Sequence, residues 1–214
     1  MTNKRWALLS LTAIPLFLAG CDSENLEGMQ EATNEIERIS DETVTELNKL
    51  SETETDLQAQ FSETLETDEE LKTLKDESSP VFENITARED LLNDLQSVQE
   101  DFQAQQDILT SYEGELLDPS EIKELNDAVD TFESDLVNYT ESYKDSLASE
   151  REFFAEISND DATYEDFVNG IKSLNEERES LSDPLMTLDE DLVTMDERLS
   201  TLQSSIETEL TENE

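Results

Sequence analysis

The stretch IKELNDAVDTFESDLVNYTESY, running from Ile122 to Tyr143, decides the fold. Its apolar side chains Ile122, Leu125, Val129, Phe132, Leu136, Tyr139 and Tyr143 are separated by alternating steps of three and four. A strand repeats its faces every two residues and cannot gather that set on one side, whereas a helix puts it on a single stripe. The intervening residues are mostly acidic or otherwise polar. Such a helix is not stable alone in water, so its stripe needs partner stripes.

The flanks of this stretch mark its ends. Upstream, Asp118-Pro119-Ser120-Glu121 combines a capping Asp, a proline at the first helical position and an acid in the first turn, with Leu117 and Ile122 placed as a hydrophobic staple. Downstream, the heptad phase slips at Ser146 and Glu150, and Leu147 and Phe154 take over the seam. A slip of this kind relaxes the supercoil locally and is where a ligand groove can open. The aromatic run Phe132, Tyr139, Tyr143, Phe153 and Phe154 follows the seam and reads first as core packing.

The same pattern recurs three more times. From Leu26 to Asp76 the chain has no proline, and the stripe Ile36, Ile39, Leu47, Leu50, Leu57, Phe61, Leu65, Leu71 and Leu74 predicts one long helix. Its early part is thin in apolar residues, so fraying is expected there. Ser79 and Pro80 open a second segment whose stripe runs Phe82, Ile85, Leu92, Leu95, Phe102, Leu109, Tyr112 and turns at Gly114. Thr163 and Asp166 open the last, which runs Phe167, Ile171, Leu174, Leu181, Leu185, Leu188, Leu192, Met195, Leu199, Leu202, Ile206. Its phase passes through Pro184 unchanged, which predicts a kink in one helix. The expected fold is all-α: an elongated antiparallel bundle of about four long helices, each roughly 50 to 75 Å long at 1.5 Å per residue. The core should be narrow, with no large cavity and no catalytic cleft.

The amino end carries a different message. Lys4 and Arg5 precede the apolar run Trp6 to Phe17, and Leu18-Ala19-Gly20-Cys21 follows. This is the layout of a secretory signal peptide over residues 1–20. A small pair followed by the chain's one cysteine resembles a bacterial lipoprotein box, with Leu18, Ala19 and Gly20 recognised by signal peptidase II and Cys21 receiving a diacylglyceryl group. Two acyl chains give stable anchoring where one is marginal. Residues 21–28 then read as a lipidated tether and 29–214 as the bundle domain, on the outer side of the cytoplasmic membrane.

Composition narrows the function classes. The chain has 57 Asp and Glu against 13 Lys and Arg, a net charge of -44, and no His. Nucleic acid, anionic lipid and polyanionic wall polymers are repelled by that charge at low ionic strength. With no His, and with Cys21 committed to lipid, the usual general base, the commonest transition-metal ligand and a free thiol are missing, and no catalytic residue or cofactor is expected. The balance resembles that of proteins from salt-loving bacteria and predicts stability that rises with salt.

Three features stand out from the bundle pattern. Arg88 and Arg178 fall at seam positions between apolar neighbours. Either their stems cover apolar surface while the heads reach solvent acids, or they form partly buried Arg-Glu bridges that fix helix register. The acids Asp160, Asp161, Glu165 and Asp166 lack the spacing of a calcium loop, so capping explains them better, and divalent cations should associate only weakly along the whole acidic surface.

The segment Tyr139-Thr140-Glu141-Ser142-Tyr143 through Leu147, Glu150, Phe153 and Phe154, with Asp161-Ala162-Thr163-Tyr164-Glu165-Asp166-Phe167 and Ile171 to Asn175 after it, resembles the YkyA-like family of cell-wall-binding lipoproteins of Gram-positive bacteria. Ile85-Thr86-Ala87-Arg88-Glu89 and the Gly20-Cys21 start are similar to that family as well. The resemblance implies a membrane-anchored factor meeting peptidoglycan or another wall component between membrane and wall. An adaptor for a protein partner is the alternative.

Overall fold

The computed structural model describes residues 25–212. Among them are seven helices, α1 (Leu26–Thr55), α2 (Leu57–Thr67), α3 (Lys72–Lys75), α4 (Pro80–Thr110), α5 (Pro119–Glu156), α6 (Tyr164–Ser180) and α7 (Ser182–Glu212), and no strand. None is long and apolar enough to cross a membrane. The four long ones, α1, α4, α5 and α7, close a ring in which each packs against its predecessor and α7 returns to α1. The expected all-α bundle of four long helical segments is what forms.

Burial of the stripes drives this closure. Every α5 seam residue from Ile122 to Tyr143 is buried, facing Phe82, Ile85, Leu92, Leu95 and Phe102 of α4 and Leu188, Met195, Leu199 and Leu202 of α7 within one continuous core. Polar links on the rims show that neighbours run antiparallel. Between α4 and α5, Gln106 Nε2 donates to Asp130 Oδ1 at 2.8 Å and Lys144 Nζ to Asn93 Oδ1 at 2.7 Å. Between α1 and α7, Gln203 Nε2 donates to Glu37 Oε2 at 3.1 Å, while Leu47 lies beside Leu188 farther along.

Three sequence expectations are corrected. The early part of α1 is firmly held rather than frayed: Ala32, Thr33, Ile36, Ile39 and Thr43 are all buried. Thr33 and Thr43 are accommodated in the seam because their hydroxyls donate to the carbonyls of Gln30 and Ile39 and are not left unbonded. Helix α1 also starts at Leu26, with Asn25 Oδ1 accepting from Gly28 N at 3.1 Å, so the tether ends before Gly28. The single helix expected up to Asp76 is three. It breaks at Asp56 and again where Asp68 takes the Thr73 N–H at 2.6 Å and Leu71 turns left-handed at φ 51°.

At Pro184 the helical path continues with one residue out of pattern. Leu181 sits at φ -80°, ψ -13° between α6 and α7, and Leu185 N still donates to Leu181 O at 3.2 Å. Pro184 has no N–H for the Ser180 carbonyl, which is the local cause.

The two ends of the bundle differ. At one lie Leu26, the α4–α5 connection and the end of α7. At the other, α2, α3 and α6 are added around the ends of α4 and α5: α2 packs on α4, α3 on α5, and α6 on α5 and α7. This end is broader and carries the site described next.

Candidate functional site

A cleft of about 660 Å³ opens in the broad end. Leu57, Phe61 and Leu65 of α2 form one wall and Phe167, Ile171 and Leu174 of α6 the other. Arg88, Tyr143, Ser146 and Glu150 from α4 and α5 lie at its base, and Glu54, Asn175 and Arg178 are among the polar residues around it. The expectation of a core without a large cavity is therefore corrected. Ser146 and Glu150 are the two residues where the α5 heptad slips, so the seam stops offering apolar knobs where the cleft begins.

Aromatic rings hold the walls in place. Phe61 meets Phe154 at 5.1 Å between centroids, Phe154 meets Phe153 at 5.1 Å, and Phe61 and Phe167 lie nearly parallel at 6.3 Å and 22°. These four rings join α2, α5 and α6. The close seat of α6 requires Gly170, because a Cβ there would stand 2.2 Å from Phe153 Cδ2. Thr163 and Asp166 form the capping box that starts α6, with Thr163 N donating to Asp166 Oδ2 at 2.9 Å.

Arg88 is 1 % exposed and ties three helices together. Both terminal nitrogens of its guanidinium bond the Glu150 carboxylate, with Nη1 to Oε2 at 3.2 Å. Its Nε donates to Asn84 Oδ1 at 2.8 Å, and Asn84 Nδ2 donates onward to the Thr53 carbonyl of α1 at 2.6 Å. Burial opposes the Arg88 charge, but the Glu150 carboxylate outweighs it and raises the Arg88 pKa. Burial pushes the Glu150 carboxyl up, and Arg88 pulls it part of the way back. The Tyr143 hydroxyl beside them is buried, close to Arg88 and Glu54. Burial raises its pKa, with Arg88 opposing and Glu54 assisting.

Arg178, the other seam arginine, has a different setting. Its side chain is 57 % exposed, and Nε meets Glu54 Oε1 at 2.8 Å at the edge of the cleft. The two arginines that sequence placed on separate helices thus line one cleft, one at its base and one in solvent. Their four charges, Arg88, Glu150, Arg178 and Glu54, sum to zero.

Other candidates disperse. Asp160 bonds Lys75 Nζ at 2.8 Å and Asp166 caps α6, and among the described residues no group of three or more acids, His or Cys could hold a metal. Phe132 packs edge-on against Phe102 at 6.0 Å and Tyr139 against Tyr143 at 5.9 Å. Ser79 stands at the start of α4, yet its hydroxyl makes no cap bond and Pro80 alone sets that turn. Asp118 does cap α5, accepting from Ser120 N at 2.8 Å. Leu18, Ala19, Gly20 and Cys21 lie outside the described residues.

Sequence reasoning passed over Arg151. It bonds Glu77 at 3.0 Å and Glu89 at 3.2 Å, and its guanidinium lies 5.7 Å over the Phe82 ring. It also passed over Gly170, whose only sequence signal is a glycine inside a helical pattern.

A family model, YkyA, described as "Putative cell-wall binding lipoprotein", covers residues 24–205. No curated protein and no solved structure matches the chain. The matched span begins one residue before the Asn25 cap and runs through most of α7, so it takes in all four long helices and every residue of the cleft: the chain belongs to the YkyA family.

Proposed function

We propose that this protein is a lipid-anchored, non-enzymatic cell-wall-binding factor that works as a spacer on the outer face of the cytoplasmic membrane. The observation that carries this reading is the separation of the cleft from the start of the bundle. Helix α1 has 30 residues, about 45 Å of rise, with Leu26 at one end and Glu54, on the cleft, at the other. A diacylglyceryl group on Cys21, four residues before the Asn25 cap, leaves little slack. The cleft then stands outward, toward the wall. The family's description supports the wall as target.

The test is co-sedimentation of residues 22–214 with protein-free cell wall at low salt, at high salt and with Mg²⁺. Saturable retention that persists in high salt supports the reading, and no retention in any condition ends it. Loss of labelled palmitate incorporation in Cys21→Ser checks the anchor.

A second reading, an adaptor for a protein partner, rests on a shallow groove between α1 and α7. Val44, Leu47, Leu185, Leu188 and Leu192 line it, and Met186 beside them is 59 % exposed on a surface that is otherwise strongly acidic. Met186→Glu leaves wall retention unchanged if the cleft end is the working surface and abolishes it if retention runs through a partner seated on the groove.

A further inference from the structure

The adaptor reading leaves open what the groove between α1 and α7 takes, and the charge around it narrows the choice. We infer that this groove docks a cationic amphipathic helix of a partner protein, with its apolar stripe on Val44, Leu185 and Met186 and its Lys or Arg side chains against the acids beside them. This rests on the adaptor reading and names the partner's chemistry for it.

The apolar surface is concentrated here and in register. Of the nine large apolar side chains exposed among the described residues, four, Val44, Leu185, Met186 and Val193, belong to this one face. Leu185 and Leu192 are one heptad apart on α7, as are Met186 and Val193, so the groove presents two apolar layers about 10 Å apart. Leu188, fully buried, forms its floor. A valley between two packed helices, with apolar layers at that spacing, suits the i, i+3, i+4 and i+7 anchors of a third helix.

Charge selects the occupant. Asp189 lines the groove itself. By helical spacing Asp196 shares its stripe on α7, while on α1 Asp41 stands three residues before Val44 and Glu52 four after Asn48. No Lys or Arg lies on either stripe, and the nearest cations along α1, Arg38 and Lys49, are held by Glu35, Glu42 and Glu46. The four acids are thus left without an ion pair among the described residues. A helix with an apolar stripe flanked by Lys or Arg meets both the leucines and the carboxylates. A second copy of this chain would bring the same acids, and a net charge of -44, against themselves, and an anionic lipid surface is repelled likewise. An uncharged apolar segment would cover the Asp189 carboxylate without pairing it, which is costly.

The probe is a fluorescently labelled synthetic helix of about 18 residues, with Leu at its a and d positions and Lys elsewhere. It is titrated with residues 22–214, which contain the whole bundle, at about 0.15 M salt to screen general attraction. The expected result is saturable one-to-one binding that weakens at least tenfold when the same residues are scrambled so that no apolar stripe forms. Met186→Glu separates docking from attraction by charge. It adds a negative charge to the face, so charge alone would tighten binding, whereas a groove that must accept an apolar stripe loses at least fivefold. Asp41→Asn with Asp189→Asn should weaken binding at least threefold more than Glu100→Gln with Asp101→Asn, which removes the same charge from an exposed part of α4. Circular dichroism checks that each variant keeps the bundle. No saturable binding, equal binding of the scrambled peptide, unchanged or tighter binding by Met186→Glu, or equal effects of the two double variants overturns the inference. So does a dimer that Met186→Glu dissociates, which would give the groove to a second copy. Failure of the peptide to bind, with wall retention still abolished by Met186→Glu, would overturn the cationic chemistry while leaving the adaptor reading standing. Peptide binding lost in Met186→Glu, with wall retention unchanged, would support the inference and assign retention to the cleft end.

Discussion

Arg88 and Glu150, 62 residues apart in the chain, meet as a two-pronged ion pair with the guanidinium 1 % exposed. Removing water from two charges costs several kcal/mol each, so the pair is held by its geometry and by Asn84 rather than by the attraction alone. Either partner left alone would be an uncompensated buried charge.

Glu150→Ala or Arg88→Ala should therefore lower stability by about 3 to 5 kcal/mol in urea unfolding, and Arg88→Met with Glu150→Leu should recover most of the loss. If the pair fixes helix register, the double variant also unfolds with a shallower slope in urea. Arg178→Leu should cost under about 1 kcal/mol, since its bridge to Glu54 lies largely in water.

The contrast between these two arginines marks how far the sequence could be read. Both occupy seam positions by spacing, and spacing reports which face of a helix a residue shares, not how deeply that face is covered. Helix α5 is packed on several sides, so Ile122 to Tyr143 are buried as their period requires. Helix α6 has no fully buried residue, and Arg178 near its end stays wet. The break at Asp56 was illegible for another reason. No Pro or Gly marks it, and the ring contacts of Phe61 with Phe154 and Phe167 that accompany it join residues far apart in the chain. The cleft itself was half legible, as a slip in the heptad at Ser146 and Glu150. That slip located a groove and could not show that α2 and α6 would wall it.

Gly170→Ala should destabilise the seat of α6 by about 1 to 3 kcal/mol, because the added methyl meets the Phe153 ring, which is itself buried. Limited proteolysis around Asp160 to Thr163 should accelerate in this variant. Unchanged cleavage and melting would mean that the ring moves aside freely.

Stability should rise on mild acidification. Glu133 is 6 % exposed with Oε1 unpartnered, and burial, with Asp130 adding to it, pushes its carboxyl up to about 7 from 4.5. A folded pKa above the unfolded one means the fold prefers the protonated acid. The contribution is full below about 4.5 and lost as pH rises through about 7. Asp191 shifts upward too, through burial and its contact with Asp135. The capping acids Asp118 and Asp166 are shifted down, so their contribution is lost as pH falls through their folded values. The melting temperature should peak on the acid side of neutral. At pH 8, Glu133→Gln should add about 1 to 3 kcal/mol, and no gain there would remove Glu133 as the cause.

Salt should act in the same sense. With a net charge of -44, screening of self-repulsion raises the melting temperature between low salt and about 1 M, where the Debye length is near 3 Å. A flat profile would show that repulsion costs the fold little.

Four passes through the bundle return the end of α7 to the start of α1, where Gln203 reaches Asn34 and Glu37. Any load between the two ends of the bundle therefore runs lengthwise along the packed helices. To yield, the helices would have to slide past one another, dragging many interlocked side chains out of register at once instead of peeling apart one at a time. A strut built this way resists tension far better than its modest core would suggest.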